Sequence, residues 1–152
     1  MRLLSRAVLT LSLIAASGAA LAASPATGLG QSWPNAPDVS TNSHYHVFVF
    51  ALGGVQYLQV NDLNGNVLGS VGTASGQFIT LPIGRFAQLV ATPQQAPAVN
   101  TGAAPAAAPS TVYNDGATTV TATPMSDGTV KLNAAVAQST CDPIDCNIKG
   151  AQ

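Results

Sequence analysis

Apolar and polar residues alternate between residues 44 and 93, and short stretches of Gly and Asn interrupt the alternation. A period of two is typical of a β-strand, in which successive side chains point to opposite faces. Gly53-Gly54 and Asn64-Gly65 are favoured in tight turns between strands. The pattern therefore predicts an antiparallel meander, folded as a small sandwich or a partly open barrel. Its strands are expected at 44–52, 55–61, 67–73 and 77–83, with a short fifth strand at 86–90.

The first predicted strand is apolar on both of its faces. His44, His46, Phe48 and Phe50 share one face, and Val47 belongs to the other. A strand with two apolar faces is typical of the interior of a sheet. We therefore expect this strand to lie centrally and to be covered on both sides.

A second group of short apolar and Thr-rich runs follows at 111–113, 117–123 and 129–135. These runs predict a short β region over 110–136. The region has few large apolar side chains, so it would be marginal in water by itself. Three arrangements remain open: it adds to the first sheet, pairs with another molecule, or stays loosely ordered.

Three segments lack the alternation of the β regions. The segment 94–109 is rich in Pro and Ala and has no charge, which predicts a semi-extended linker where proteases cut first. The segment 23–43 is predicted to be an extended arm, and 137–152 a tail. Trp33 is the one large apolar side chain of the arm, and it either fastens the arm to the β domain or forms an exposed platform for a ligand.

The first residues of the chain have the order of an export signal. Arg2 and Arg6 precede an apolar run over 7–16, and Ala20-Leu21-Ala22 follows. This order predicts a secretory signal peptide over 1–22. The apolar run is shorter than the about 20 residues that a membrane span needs. We expect a periplasmic or secreted protein with no stable membrane span after the signal is removed.

Charged residues make up only 7% of the chain, and glutamate is absent. Glu, Lys and Arg usually occupy exposed helix faces, so their scarcity favours a mainly β fold. Without the predicted signal the chain keeps three cations against six aspartates, a net charge near −3. Three scattered cations cannot form the basic face that nucleic acids require. The composition therefore excludes nucleic acid as a partner, and for the same reason it disfavours attraction to an anionic membrane surface.

Cys141 and Cys146 are the only cysteines, and they enclose four residues of the predicted tail. An oxidising compartment favours a disulfide between them, which would contribute about 2 kcal/mol for so short a loop. Their spacing is longer than that of a Cys-x-x-Cys redox pair. We expect a local disulfide between Cys141 and Cys146, with pairing between molecules or free thiols as the alternatives.

His44 and His46 are the only histidines and are weak candidates for a metal site. On a strand their side chains would lie about 7 Å apart on one face, where two imidazoles can share one Zn or Cu ion. Reduced Cys141 and Cys146 could complete such a site. The exposed start of a strand explains the two histidines better, since the chain has no further His and no Glu, so no metal or other cofactor is predicted.

The sequence contains no nucleophile elbow, phosphate-binding loop or His-Glu-x-x-His motif. We therefore predict no catalytic residue and expect a protein that is not an enzyme. A site assembled from Asp62, His44 and a serine is the remaining enzymatic alternative.

Asp62, Asn64 and Asn66 resemble the start of a calcium loop but are interpreted as a turn. A calcium loop needs Gly in its sixth place and Glu in its twelfth, whereas this chain has Gly65 in the fourth and Thr73 in the twelfth.

These observations favour an exported, non-catalytic protein of the bacterial cell envelope that serves as a protein-interaction or structural module. The Thr-rich run at 117–123 suggests that an envelope protein or a second copy pairs with an unpaired sheet edge. The alternative is a ligand- or metal-binding periplasmic module that uses His44 and His46, with Trp33 or Tyr45 nearby.

Overall fold

The computed structural model describes residues 25–138, and eight strands account for most of its regular structure. The first four strands are β1 (Tyr45–Leu52), β2 (Val55–Asp62), β3 (Val67–Ala74) and β4 (Gln77–Leu81). They form an antiparallel sheet in the order β1-β2-β3-β4. Gly53 and Gly54 join β1 to β2 with φ of 59° and 80°, which the favoured two-residue hairpin turn requires. The predicted antiparallel meander is confirmed.

The second sheet begins after a 3₁₀ turn at Ala87–Leu89. Its strands are β5 (Val90–Ala91), β6 (Ser110–Asn114), β7 (Thr118–Pro124) and β8 (Val130–Val136). They pair in the order β5-β8-β7-β6, with β5 parallel to β8 and the other neighbours antiparallel. The fold is mainly β, as predicted.

The two sheets enclose one hydrophobic core. Both contribute buried side chains to a single cluster: Val47, Leu58, Val60, Leu68, Val71, Phe78, Val90, Val112, Tyr113, Val120, Ala122, Leu132 and Ala134. The sheets approach closely at Gly69, where an added Cβ would lie 2.8 Å from side-chain atoms of Leu132 and Val90. Residues 110–136 therefore do not extend the first sheet; they form a sheet of their own that packs against it, as in a sandwich.

Two expectations about individual strands are wrong. β1 is an edge strand of its sheet, although Val47 and Phe48 on its opposite faces are both buried. The second face is covered by the N-terminal arm, so apolar residues on both faces did not require a central position. The predicted fifth strand does not continue the meander either, because Val90 and Ala91 pair with β8 of the second sheet.

Other parts of the chain form hydrogen bonds with three of the edge strands, β1, β6 and β4. The backbone N–H of Val39 donates to Val47 of β1 (2.8 Å), and that of Thr41 donates to Val112 of β6 (2.9 Å). The side chain of Gln94 accepts a hydrogen bond from the backbone of Phe78 in β4 (3.2 Å). Covered edges prevent uncontrolled pairing with other chains.

The Thr-rich strand β7 lies between β6 and β8. Both of its backbone edges are therefore paired, and it offers no open edge of the kind considered from the sequence.

The Pro/Ala-rich segment 94–109 connects the two β regions and is itself attached to the second sheet. The backbone N–H of Ala106 donates to the carbonyl of Pro124 (2.9 Å), and that of Ser126 donates to the carbonyl of Ala104 (2.8 Å). This segment therefore lies beside β7 and β8 instead of spanning free solvent.

The described residues include no helix of the length and apolar character needed to cross a membrane. The predicted signal peptide at 1–22 and the cysteines at 141 and 146 lie outside the described residues.

Tyr113 is expected to make the fold less stable as the pH rises above about 10. Burial, together with the hydrogen bond to the carboxylate of Asp115 and its negative charge, raises the pKa of Tyr113 to about 12. The neutral phenol is thus favoured in the folded state, and this stabilisation is present below pH of about 10 and lost between about 10 and 12. Between these pH values the unfolding free energy should fall as the pH rises. We expect Tyr113→Phe to make this fall less steep, by at most about 1.4 kcal/mol per pH unit. Urea unfolding at a series of pH values checks this, and an unchanged slope would contradict it.

Candidate functional site

Two amide side chains on the outer face of β2 are completely buried. Gln59 and Asn61 both have 0% exposure, and the Nε2 of Gln59 donates to the Oδ1 of Asn61 (2.9 Å). A buried amide without hydrogen-bond partners costs free energy. The remaining N–H and C=O groups of the two side chains therefore need partners in the segments that cover this face.

The remaining hydrogen bonds of the two amides go to the N-terminal arm and to one turn. Gln59 accepts from the backbone N–H of Gly30 (2.6 Å) and donates to the carbonyl of Gln31 (2.8 Å). Asn61 donates to the carbonyls of Ser32 (2.7 Å) and Gly65 (3.3 Å). Every N–H of both amides is used, and the arm is held against β2 at three successive residues.

The arm is also closed on itself. Thr27 and Asn35 exchange two backbone hydrogen bonds of 3.0 and 3.1 Å, which turns the residues between them into a compact loop. The loop and the amide pair together fix the position of Trp33, which lies between the two points of attachment.

Trp33 packs with one side against the turn that joins β2 to β3. A Cβ added to Gly65 would lie 2.7–2.9 Å from three atoms of the indole ring, so the ring rests directly on the glycine backbone. The side chain is nevertheless 60% exposed. The contact that fastens the arm is present, and a large part of the indole still faces solvent.

His46 contacts the edge of this tryptophan. The two ring centroids are 5.2 Å apart with an interplanar angle of 67°, a favourable edge-to-face arrangement. On its other side His46 stacks with Phe48 at 6.2 Å. Its Nδ1 is 2.7 Å from the Oδ2 of Asp38.

Asp38 joins the arm to β1. Its Oδ1 accepts hydrogen bonds from the backbone N–H of Val47 (2.9 Å) and of Ser40 (3.0 Å). Burial raises the pKa of the Asp38 carboxyl, but the hydrogen bonds from His46, Val47 and Ser40 together lower it below its ordinary value. The carboxylate is therefore ionised at neutral pH and oriented by three donors.

The two histidines have different surroundings. His44 precedes β1 in a turn and is exposed, and its backbone N–H donates to the Oδ1 of Asn42 (2.9 Å). His46 is half-buried and bonded to Asp38. Within residues 25–138 no three side chains of the metal-binding types come together, and Cys141 and Cys146 lie outside that range.

The Asp62 carboxylate organises the turn on which Trp33 rests. Its Oδ1 accepts from the backbone N–H of Asn64 and of Asn66, both at 2.9 Å, and its Oδ2 accepts from the side chain of Asn66 (2.8 Å). Burial raises the pKa of Asp62, but these hydrogen bonds lower it below its ordinary value. The interpretation of these three residues as a turn is confirmed.

Sequence reasoning identified Trp33 and His46 but missed Asp38, Gln59 and Asn61. The missed amides carried one usable signal: two polar residues on a strand face whose neighbours Phe48 and Tyr57 are aromatic. A polar pair in such a place predicts that another segment of the chain covers it and bonds to it.

No family model matches the chain, and no similar curated protein or solved structure was found.

Proposed function

We propose that this chain is an exported, non-catalytic binding module of the bacterial cell envelope, periplasmic or secreted, that contacts another protein. The contact is made by the Trp33 surface, defined here as Trp33, His46, Asp38 and the turn 62–66. The observation that carries the proposal is the 60% exposure of an indole held in place by two fully buried amides. Leaving so large an apolar side chain in water costs free energy that a partner recovers.

A fixed and exposed tryptophan has the properties of an interface anchor. Tryptophan is enriched among the residues that dominate protein–protein binding. A side chain that is already ordered loses little conformational entropy when a partner covers it. Leu63, in the same turn as Gly65, is 52% exposed and is a second apolar side chain of the Trp33 surface.

The charges around this centre indicate the chemistry of the partner. Asp38 and Asp62 are ionised, as the lowered pKa of each shows. An apolar centre with acidic neighbours complements an apolar pocket rimmed by Lys or Arg. Asp38 is bonded to His46 and to two backbone N–H groups. These bonds support a role of Asp38 and His46 in holding the arm on β1, and not in proton transfer.

Photo-crosslinking tests the proposal in the intact envelope. A photoreactive phenylalanine at position 33 is expected to form a defined adduct with another protein, and the same group at position 52 is not. Leu52 is the matched control because it is 74% exposed on β1, outside the Trp33 surface. Asp38→Asn is expected to reduce the yield, since it removes an acidic neighbour. Equal adducts from both positions, or none from position 33, would contradict the proposal, and an adduct of the chain with itself would identify a second copy as the partner.

The alternative is a ligand- or metal-binding module that uses His44 and His46. The contact between His46 and Trp33 makes this alternative testable, because an ion on the imidazole would change the fluorescence of the single tryptophan. Quenching by micromolar Cu²⁺ or Zn²⁺ that is lost in His46→Ala would favour this alternative over protein binding.

A further inference from the structure

The outer face of the second sheet carries a block of four polar side chains. Along β7 and β8 the residues that face the core are buried, whereas Thr121, Thr123, Lys131 and Asn133 occupy the alternate positions. Thr121 is paired with Asn133 and Thr123 with Lys131. Cross-strand neighbours lie about 5 Å apart and alternate residues about 7 Å apart. The four side chains therefore form a compact rectangle.

The Pro/Ala-rich segment lies beside this rectangle, and the two border a solvent-open cavity of about 710 Å³. The segment is held there by the backbone bonds of Ala106 to the last residue of β7 and of Ala104 to the loop that follows. A bond from the N–H of Val99 to the carbonyl of Gln88 (3.3 Å) also holds it. Outside the rectangle the lining is mainly apolar, with Asn100 and Thr101 as its polar residues; the larger apolar side chains are Leu89, Pro97, Val99, Pro105, Pro109 and Met125. The volume is within the range of about 300–1,000 Å³ typical of small-molecule sites.

The polar side chains of the rectangle are not used by the fold. Among the side-chain hydrogen bonds of residues 25–138, none involves the side chains of Thr121, Thr123, Lys131 or Asn133. Gln59 and Asn61, in contrast, use every N–H that they have. Lys131 is the one charged residue among those that line the cavity.

We propose that this cavity binds a small hydroxylated carboxylate, the chemistry of a sugar acid. One ammonium group matches one carboxylate. Two hydroxyls and an amide both donate and accept, as neighbouring sugar hydroxyls require. The apolar part of the lining, with its prolines, valine and methionine, suits the C–H face of a pyranose ring. A phosphate dianion would need more cationic donors than Lys131 supplies, and a fatty acid would leave the hydroxyls and the amide unpaired.

Calorimetric titration of the full chain with glucuronate and galacturonate tests this proposal, with glucose and galactose as neutral counterparts. We expect the sugar acids to bind with a dissociation constant below about 1 mM and the neutral sugars at least about tenfold more weakly. Lys131→Met should abolish this preference for the acids. Thr121→Val with Thr123→Val should weaken the binding of every sugar that binds.

Thr119→Val is the matched control, because Thr119 lies on the same face of β7 but does not line the cavity. Thr119→Val should bind the sugar acids like the unmodified chain. Trp33→Ala should do so too, which would show that sugar binding does not depend on the Trp33 surface. Thermal unfolding of each variant shows that it is folded. Three results would overturn the proposal: no binding of sugar acids at about 10 mM, equal binding of acids and neutral sugars, or equal loss in Thr119→Val and in the cavity variants.

Discussion

Replacing Gly84 by alanine is expected to prevent the chain from folding stably. Gly84 has φ of 112°, a conformation that residues with a Cβ rarely adopt, and its added Cβ would lie 2.6 Å from backbone atoms of Leu68 and Gly69. Backbone hydrogen bonds from Arg85 to Val67 and from Phe86 to Leu68, both 2.8 Å, hold this segment against β3. The clash therefore cannot be relieved by a side-chain rotation. We expect a loss of more than about 4 kcal/mol, which approaches the lower end of the about 5–15 kcal/mol that stabilise an ordinary domain.

Gly116→Ala is the matched control for this substitution. Gly116 also has a positive φ, 84°, but an added Cβ would find no atom within 4 Å. Gly116→Ala should therefore lose only about 1 kcal/mol of stability, from backbone strain. Urea unfolding followed by circular dichroism measures both variants. If the two lose equal stability, the close approach of Gly84 to β3 is not what requires the glycine.

Asn61→Ala is expected to cost about 2–4 kcal/mol and to release the arm. The substitution removes the acceptor of one Gln59 N–H and leaves the carbonyls of Ser32 and Gly65 without their amide donor. Each buried group left without a partner costs about 1–3 kcal/mol. Once the arm is loosened, Trp33 should leave Gly65, so its fluorescence should shift to longer wavelength and become more accessible to acrylamide.

Asn64→Ala provides the comparison for the amide pair. Asn64 is exposed in the same turn, and only its backbone N–H takes part in the hydrogen bonds of the turn. Its variant should stay within about 0.5 kcal/mol of the unmodified chain and keep the emission of Trp33. Unfolding and tryptophan emission that are alike in the two variants would show that Asn61 does not anchor the arm.

The meander could be predicted because its information is local. Alternation along β1 and β2 and the two glycines between them specify a hairpin within less than twenty residues. The order of strands in the second sheet could not be predicted in the same way, since β5 pairs with β8 about forty residues further along. Nothing in the pattern of Val90 and Ala91 distinguishes a strand of the first sheet from one of the second.

The candidate site shows the same division. Trp33 and His46 stood out by residue type, but their contact depends on Gln59 and Asn61, which hold the arm from almost thirty positions away. The Pro/Ala composition of 94–109 predicts a segment with no core of its own. It does not indicate that backbone bonds attach this segment to the second sheet, because such bonds do not depend on side-chain type.

The placement of β5 has a consequence for the integrity of the chain. The polypeptide has already contributed a strand to the second sheet before it enters the segment 94–109. A break within that segment would leave one piece carrying the first sheet together with β5, and another carrying β6, β7 and β8. Each piece would expose half of the shared core, so the two should remain associated as a nicked, non-covalent complex instead of separating into independent units.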